Sequence, residues 1–264
     1  TCIELLHDFM FIHDDIIDKT ALKHNRKTSY GRFGANISIL AGDILLVQAA
    51  FSLYKECESL PMTKKDKAVQ LTFKALTEII KSEAQESLMH RRLDVTPRDY
   101  LEVIKLRASV LEAHCMIGAI LGGANDDSIA NLGWYGRTYG IVGTIIDEIY
   151  DIVNYEKFSA RLSKECLPLP VLCAIHESEL KEKIIPLLKD FEVNHDDYNK
   201  IVRLALSSRS FKKIREQQIA SVNIALQKLK SLSENDAVRD LSTLLTILRG
   251  LLCNLEKFTS RILG

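Results

Sequence analysis

The amino-acid sequence lacks the features that would mark a nucleic-acid-binding or membrane protein. Its 35 basic and 35 acidic residues give a formal net charge of zero, so charge provides no reason to expect nucleic acid or an anionic membrane surface as a partner. No apolar run approaches the roughly 18 residues of a transmembrane helix, and the opening residues lack a signal-peptide pattern. We therefore expect no transmembrane segment and a cytoplasmic location.

Metal-binding cysteine patterns and strand patterns are also missing. The six cysteines show no CxxC spacing, which predicts small buried side chains rather than zinc ligands or disulfides. Alternation of apolar and polar residues is almost absent, as are linkers and repeats of fixed period. Hydrophobic residues make up 47% of the chain, which is ample for a large core. The sequence predicts one all-α domain over residues 1–264, a helical bundle around a central cavity.

Cap residues predict where two of the helices begin. Thr96 is the expected N-cap of one helix because Pro97 follows it at the first helical position. That helix is predicted to run to about Ala124, and Asp127 or Ser128 is expected to cap the next one.

Two pairs of aspartates stand four residues apart within apolar helical stretches. Asp14 and Asp18 share one face of the first helix, and Asp147 and Asp151 share one face of a later helix. Like charges at this spacing destabilise a helix by roughly 0.2–0.5 kcal/mol, and apolar surroundings add a desolvation cost. A bound cation would offset both costs. Carboxylates without nearby cysteine suit Mg²⁺, held together with substrate phosphates.

The order of several motifs resembles the trans-prenyl diphosphate synthase family over about residues 1–180. The segments that carry the resemblance are Glu4-Leu5-Leu6-His7, His13-Asp14-Asp15-Ile16-Ile17-Asp18, Tyr30-Gly31-Arg32-Phe33-Gly34, Ile39-Leu40-Ala41-Gly42-Asp43, Gly118-Ala119-Ile120-Leu121-Gly122-Gly123, Tyr135-Gly136, Tyr139-Gly140 and Asp147-Glu148-Ile149-Tyr150-Asp151. The resemblance implies an isoprenoid synthase-type bundle and a homodimer. It also implies condensation of an allylic diphosphate with isopentenyl diphosphate, assisted by three Mg²⁺ ions between the two aspartate clusters.

The resemblance also assigns roles to individual residues. These are Asp14, Asp18, Asp147 and Arg107 for catalysis; Asp14, Asp18, Asp147 and Asp151 for the metal; and His7, Lys23, His24, Arg107, Arg161 and Lys164 for the substrates. Phe9, five residues before Asp14, and Met10, four before it, are expected to limit the length of the product. A bulky side chain there would block further growth of the product, so the resemblance implies a short product of about fifteen to twenty-five carbons.

The sequence departs from the family at several positions. An arginine pair is replaced by Lys23-His24, a Lys-Thr pair by Arg107-Ala108, and the second aspartate of the later motif by Glu148. The helices that precede the first motif in the family are expected to be missing. Two alternatives stay open: a class I terpene synthase on the same fold, and a non-catalytic subunit of a heteromeric prenyl synthase.

Overall fold

The computed structural model of the chain describes residues 2–23, 25–188 and 191–255. These residues form two compact units, Thr1–Gln70 and Leu71–Gly264. Apart from one pair of two-residue strands, the regular structure described is helical. The predicted all-α class is confirmed, whereas the single domain stays a prediction.

The first unit is built on two long helices that run antiparallel. Helix α1 covers Cys2–Ile17, strands β1 and β2 cover Leu22–Lys23 and Arg26–Lys27, α2 covers Ser29–Glu56, and α3, Met62–Ser87, begins in this unit. The backbone N–H of Cys2 donates to the carboxylate of Glu56 over 3.4 Å, at one end of the pair. Near the other end the ring of His13 lies against Gly42, where a Cβ would come within 2.4 Å of it. Glycine at position 42 therefore allows the two helices to pack closely.

Helix α2 contains one backbone break and one unusual apolar surface. Gly34 has φ +75°, which interrupts the helix just after its first turn. Within the described residues, this one helix is long and apolar enough to cross a membrane by length and composition, criteria that a core helix or a signal sequence also meets. One such helix is weak evidence of a membrane span, so the expected absence of a transmembrane segment stays a prediction.

The second unit holds the main hydrophobic core, in which α6 and α8 contribute many of the fully buried side chains. Its elements are α4 Pro97–Arg107, α5 Ser109–Leu121, α6 Asp126–Ile152, α7 Tyr155–Lys164, α8 Leu169–Ile175, α9 Ser178–Ile184, a 3₁₀ turn Ile185–Leu187, α10 His195–Ser207, α11 Arg209–Leu229 and α12 Asp236–Cys253. The predicted start of α4 is confirmed: Thr96 and Asp99 form a reciprocal capping box, and Pro97 opens the helix.

Two helix boundaries differ from the sequence-based expectation. The helix predicted to run to Ala124 divides at Ala108 into α4 and α5. The N-cap of α6 is Asn125, whose side chain accepts from the N–H of Ser128, so neither Asp127 nor Ser128 is the cap. Asn125 is as good a cap as the neighbours that were preferred over it.

Candidate active site

The first aspartate cluster lies at the end of α1 and is bridged by a lysine from β1. Lys23 Nζ lies 3.2 Å from Asp14 Oδ2 and 2.7 Å from Asp15 Oδ1. Burial lowers the pKa of Lys23, but the hydrogen bond with Asp15 and the charge of Asp14 outweigh it, so the pKa is raised overall. Lys23, predicted to bind diphosphate, therefore contacts one carboxylate predicted to bind metal, that of Asp14, and the adjacent carboxylate of Asp15. Asp18 lies one helical turn further on, half-buried.

The predicted product-length residues occupy different faces of α1. At about 100° per residue, Phe9 lies about 140° around the helix from Asp14, whereas Met10 lies only about 40° from it. Phe9 is 6% exposed, and its ring lies 4.8 Å from that of His13, tilted by 54°; His13 is the residue that meets Gly42 of α2. Phe9 thus belongs to the packing face between α1 and α2. Met10 is half-buried and lies on the Asp14 side.

The remaining predicted residues of the first unit lie on either side of this cluster. His7 is half-buried on α1, with its ring 6.2 Å from that of Phe11. Lys23 Nζ lies 5.9 Å from the centre of the same Phe11 ring. His24, predicted to bind substrate, lies outside the described residues.

The second aspartate cluster lies in the last two turns of α6. Asp147 is exposed, and neither a hydrogen bond nor an ion pair neutralises its side chain among the described residues. Desolvation raises the pKa of Asp147, and the negative charge of Asp151 raises it further. Asp151 is half-buried and 2.7 Å from Lys157 Nζ. The predicted repulsion between the two carboxylates is therefore present, and Lys157 compensates only one of them directly.

Arg107, expected to act in catalysis and substrate binding, is paired with two carboxylates of the protein. Its guanidinium donates to Glu83 over 2.9 Å and to Glu86, both on α3. Burial lowers the pKa of Arg107, and the charge of Glu86 more than restores it, so the pKa lies above its usual range. As folded, Arg107 is held by protein carboxylates.

Arg161 is not an accessible binding residue in this structure. It is 5% exposed, and its guanidinium donates to Glu148 Oε1 over 2.6 Å and to the hydroxyl of Tyr100 over 2.5 Å. Its guanidinium is therefore held by protein groups, and the substrate-binding role expected from its position after the second motif stays a prediction. Lys164, one turn further along α7, is exposed.

Several residues that shape this region gave no signal in the sequence. Glu86 and Tyr100 resemble any acidic or aromatic helix residue, yet both are buried beside Arg161. Only the spatial meeting of α3, α4 and α7 identifies them.

The donor chemistry of both clusters fits a hard divalent cation. Each offers carboxylate oxygens on one helix face, and Asp147 lacks a neutralising partner among the described residues. Within those residues no group of three or more histidine, cysteine, aspartate or glutamate side chains is arranged to hold a metal. Each pair would therefore complete its coordination with phosphate oxygens or water, as Mg²⁺ commonly does.

Comparison with known proteins identifies the class. The chain has the all-α isoprenoid synthase fold: it superposes on geranylgeranyl pyrophosphate synthetase from Pyrococcus horikoshii with a TM-score of 0.81 and 26% identity, over 94% of this chain and 77% of that one. Residues 1–205 match the polyprenyl synthetase family model, and the chain belongs to that family.

Curated relatives are similar over most of this chain. A geranylgeranyl diphosphate synthase from Sulfolobus acidocaldarius is 31% identical over 223 residues, covering 84% of this chain and 64% of the relative. The large subunit 1 of a heterodimeric chloroplastic geranylgeranyl pyrophosphate synthase from Arabidopsis thaliana is 27% identical over 226 residues, covering 78% and 60%. The chain thus spans a little under two thirds of the length of these two relatives.

Proposed function

We propose that this chain is a Mg²⁺-dependent prenyltransferase that joins an allylic diphosphate to isopentenyl diphosphate. The product is a short all-trans prenyl diphosphate of about fifteen to twenty-five carbons. The observation that carries the proposal is the pair of aspartate clusters on separate helices, of which Asp147 makes no direct hydrogen bond or ion pair among the described residues. Family membership and relatives named geranylgeranyl and short-chain isoprenyl diphosphate synthases support it.

The reaction breaks the bond between carbon and oxygen at the allylic diphosphate and forms a bond between two carbons. Bound Mg²⁺ would act as a Lewis acid on the leaving pyrophosphate. In the first unit, Asp14 on α1 and Asp18 just after it would hold metal; in the second, Asp147 and Asp151 on α6 would do so. Lys164 is exposed at the end of α7 and available to a phosphate oxygen. Isopentenyl diphosphate would then attack the allylic cation, and the departing pyrophosphate would take up the proton that is lost.

Lys23 has a second use in this scheme. Its ammonium group offsets the charges of Asp14 and Asp15. A Mg²⁺ ion held by Asp14 would supply that compensation instead, and Lys23 would then be available to a diphosphate oxygen. Lysine presents a flexible point charge rather than a fixed guanidinium fork, which suits such a movement.

We further propose that the chain forms a homodimer through α2. Six exposed apolar side chains follow one another at spacings of three and four residues, which is the heptad spacing of a helix–helix seam. They are Ile37, Leu40, Ile44, Val47, Phe51 and Tyr54, here called the α2 stripe. A second copy would cover the stripe with the identical stripe of its own α2.

One observation favours a variant of this proposal. A relative is named as the large subunit of a heterodimeric synthase. The α2 stripe would then receive a different subunit of the same family, and this chain would supply one part of a heteromeric enzyme.

The experiment that tests the activity is turnover with Mg²⁺, labelled isopentenyl diphosphate and a short allylic diphosphate. We expect label in one main product of discrete length. Asp147→Asn should lower the rate at least about 100-fold, by analogy with loss of one group that stabilises transition-state charge. Asp127→Asn, the same change in the first turn of α6, is the matched control. Absence of label from every product of the wild-type chain would contradict the proposal.

The oligomeric state is tested separately by sedimentation. Val47→Lys places a charge in the middle of the α2 stripe and should convert dimer to monomer. Ile39→Lys changes an exposed apolar residue of the same helix outside the stripe and serves as the control. A wild-type chain that sediments as a monomer at all concentrations would refute the homodimer, and a dimer unaffected by Val47→Lys would exclude this surface.

A further inference from the structure

A buried polar network lies directly behind the second aspartate cluster. The hydroxyl of Tyr100 lies 2.5 Å from Glu148 Oε1 and 3.1 Å from Glu86 Oε1, and accepts from Arg161 over 2.5 Å. Arg161 also binds Glu148 over 2.6 Å, while Arg107 binds Glu86. Tyr100, Glu148, Arg161 and Glu86 are all buried. These residues are called the Tyr100 network.

Glu148 connects this network to the aspartates. It follows Asp147 immediately and precedes Asp151 by three residues. Its Oε1 accepts from Tyr100 on α4 and Arg161 on α7, and its Oε2 accepts from the N–H of Leu169, the first residue of α8, over 2.8 Å. A single carboxylate 3% exposed therefore ties the last turns of α6 to three other helices.

The end of α6 needs such an anchor for electrostatic reasons. The helix ends at Ile152, one residue after Asp151, and helix ends fray. Carboxylates there face the negative end of the helix dipole, and the last turn of α6 contains no basic residue. Asp147 and Asp151 also repel each other. Local forces therefore favour unwinding where the proposed reaction requires both aspartates on one face.

We propose that Glu148 is a positioning residue: through Tyr100, Arg161 and Leu169 it fixes the rotation of the last turns of α6, so that Asp147 and Asp151 are presented together to Mg²⁺ and pyrophosphate. This inference rests on the proposed function. Glutamate is required here because its reach spans from the α6 backbone to all three donors. Aspartate is shorter by one methylene and in this chain would withdraw from at least one of them.

The test measures Mg²⁺-dependent binding of inorganic pyrophosphate by calorimetry, which does not depend on turnover, and thermal unfolding of the same samples. The variants are Glu148→Gln, Glu148→Asp and Tyr100→Phe. The control is Glu112→Gln on α5, which removes one of the two carboxylates paired with Arg137; Arg137 lies on α6 about three turns before Asp147. Changes to groups that orient metal ligands commonly weaken metal affinity by about 10–100-fold.

We expect Glu148→Gln and Glu148→Asp to raise the Mg²⁺ concentration for half-maximal binding at least about tenfold. Tyr100→Phe, which keeps the Glu148–Arg161 pair, should raise it less. Glu112→Gln should lower the melting temperature without changing the Mg²⁺ concentration for half-maximal binding. If Glu148→Gln does not fold, the other two variants carry the test.

The experiment distinguishes a failure of the positioning role from a failure of the proposed function. If every folded variant loses stability but binds Mg²⁺ and pyrophosphate like wild type, the Tyr100 network is structural only and the inference is wrong, while the proposed function stands. If the wild-type chain itself fails to bind Mg²⁺ with pyrophosphate, the proposed function fails first and the positioning role with it.

Discussion

Replacing Gly136 with alanine should destabilise the protein, although alanine is the better helix former. Gly136 lies where α6 crosses α5. A Cβ at this position would come within 2.3 Å of the carbonyl oxygen of Leu111 and 2.9 Å of the Cα of Glu112. Both atoms are backbone, so the contact cannot be relieved by turning a side chain, and the two helices would have to move apart.

The size of the effect follows from two opposed contributions. Alanine gains about 0.5–1 kcal/mol over glycine within a helix. Overpacking against a well-packed neighbour costs about 1–3 kcal/mol. Because the clashing atoms are backbone, the upper part of this range applies, about 2–3 kcal/mol. The net loss for Gly136→Ala is therefore about 1–2.5 kcal/mol, and the melting temperature should fall by about 2–10 °C.

Gly143→Ala is a control on the same helix with the opposite expected sign. A Cβ at Gly143 would meet no atom within 4 Å. Only the helix-propensity gain of about 0.5–1 kcal/mol remains, so the melting temperature should rise by about 1–4 °C. Thermal unfolding followed by circular dichroism compares both variants with wild type. If Gly136→Ala is as stable as wild type or more so, the close approach of α5 and α6 is wrong.

Three further predictions follow from other parts of the molecule. Burial raises the pKa of Glu177, but hydrogen bonds from the Ser208 hydroxyl and the N–H groups beyond it outweigh this and lower the pKa below 4.5. The ionised Glu177 therefore stabilises the folded protein fully above pH 4.5, and this stabilisation is lost as the pH falls through the lowered pKa. Glu177→Gln should lower the melting temperature at pH 7, and the difference in melting temperature from wild type should disappear in acid. Met10→Ala should lengthen the product in the turnover assay. Phe9→Ala should mainly lower the free energy of unfolding in denaturant, by about 3–5 kcal/mol, and the reverse pattern would contradict the assignment of helix faces. Thr96→Ala should cost about 1 kcal/mol by loss of the cap on α4, and an unchanged unfolding midpoint would exclude that cap.

The sequence-based account was most successful where the determining forces are local. The start of α4 was predictable because a cap and a following proline act within one turn. The shared faces of the aspartate pairs follow from helix geometry alone. The division at Ala108 had no local signal, since neither proline nor glycine stands there; Ala108 instead lies against Gly140 of α6.

The partners of the buried charges could not be predicted in the same way. The sequence required that Arg107 be paired, because an uncompensated guanidinium in an apolar helix is costly. It could not supply Glu86, 21 residues away, or the contact between Arg161 and Tyr100, 61 residues apart. Hydrogen-bond partners at such separations depend on which helices pack together, and helical periodicity does not specify that.

The amino-acid sequence by itself therefore determined the helical class, the family and the two aspartate pairs, because each depends on residue types at short, regular spacing. Tertiary structure alone decided that Glu148 and Arg161 face inward while Asp147 remains exposed. Neighbouring residues on a helix differ in direction by about 100°. Of the adjacent carboxylates Asp147 and Glu148, one can therefore be buried while the other is exposed. Which of them is buried depends on where α4, α7 and α8 pack against α6.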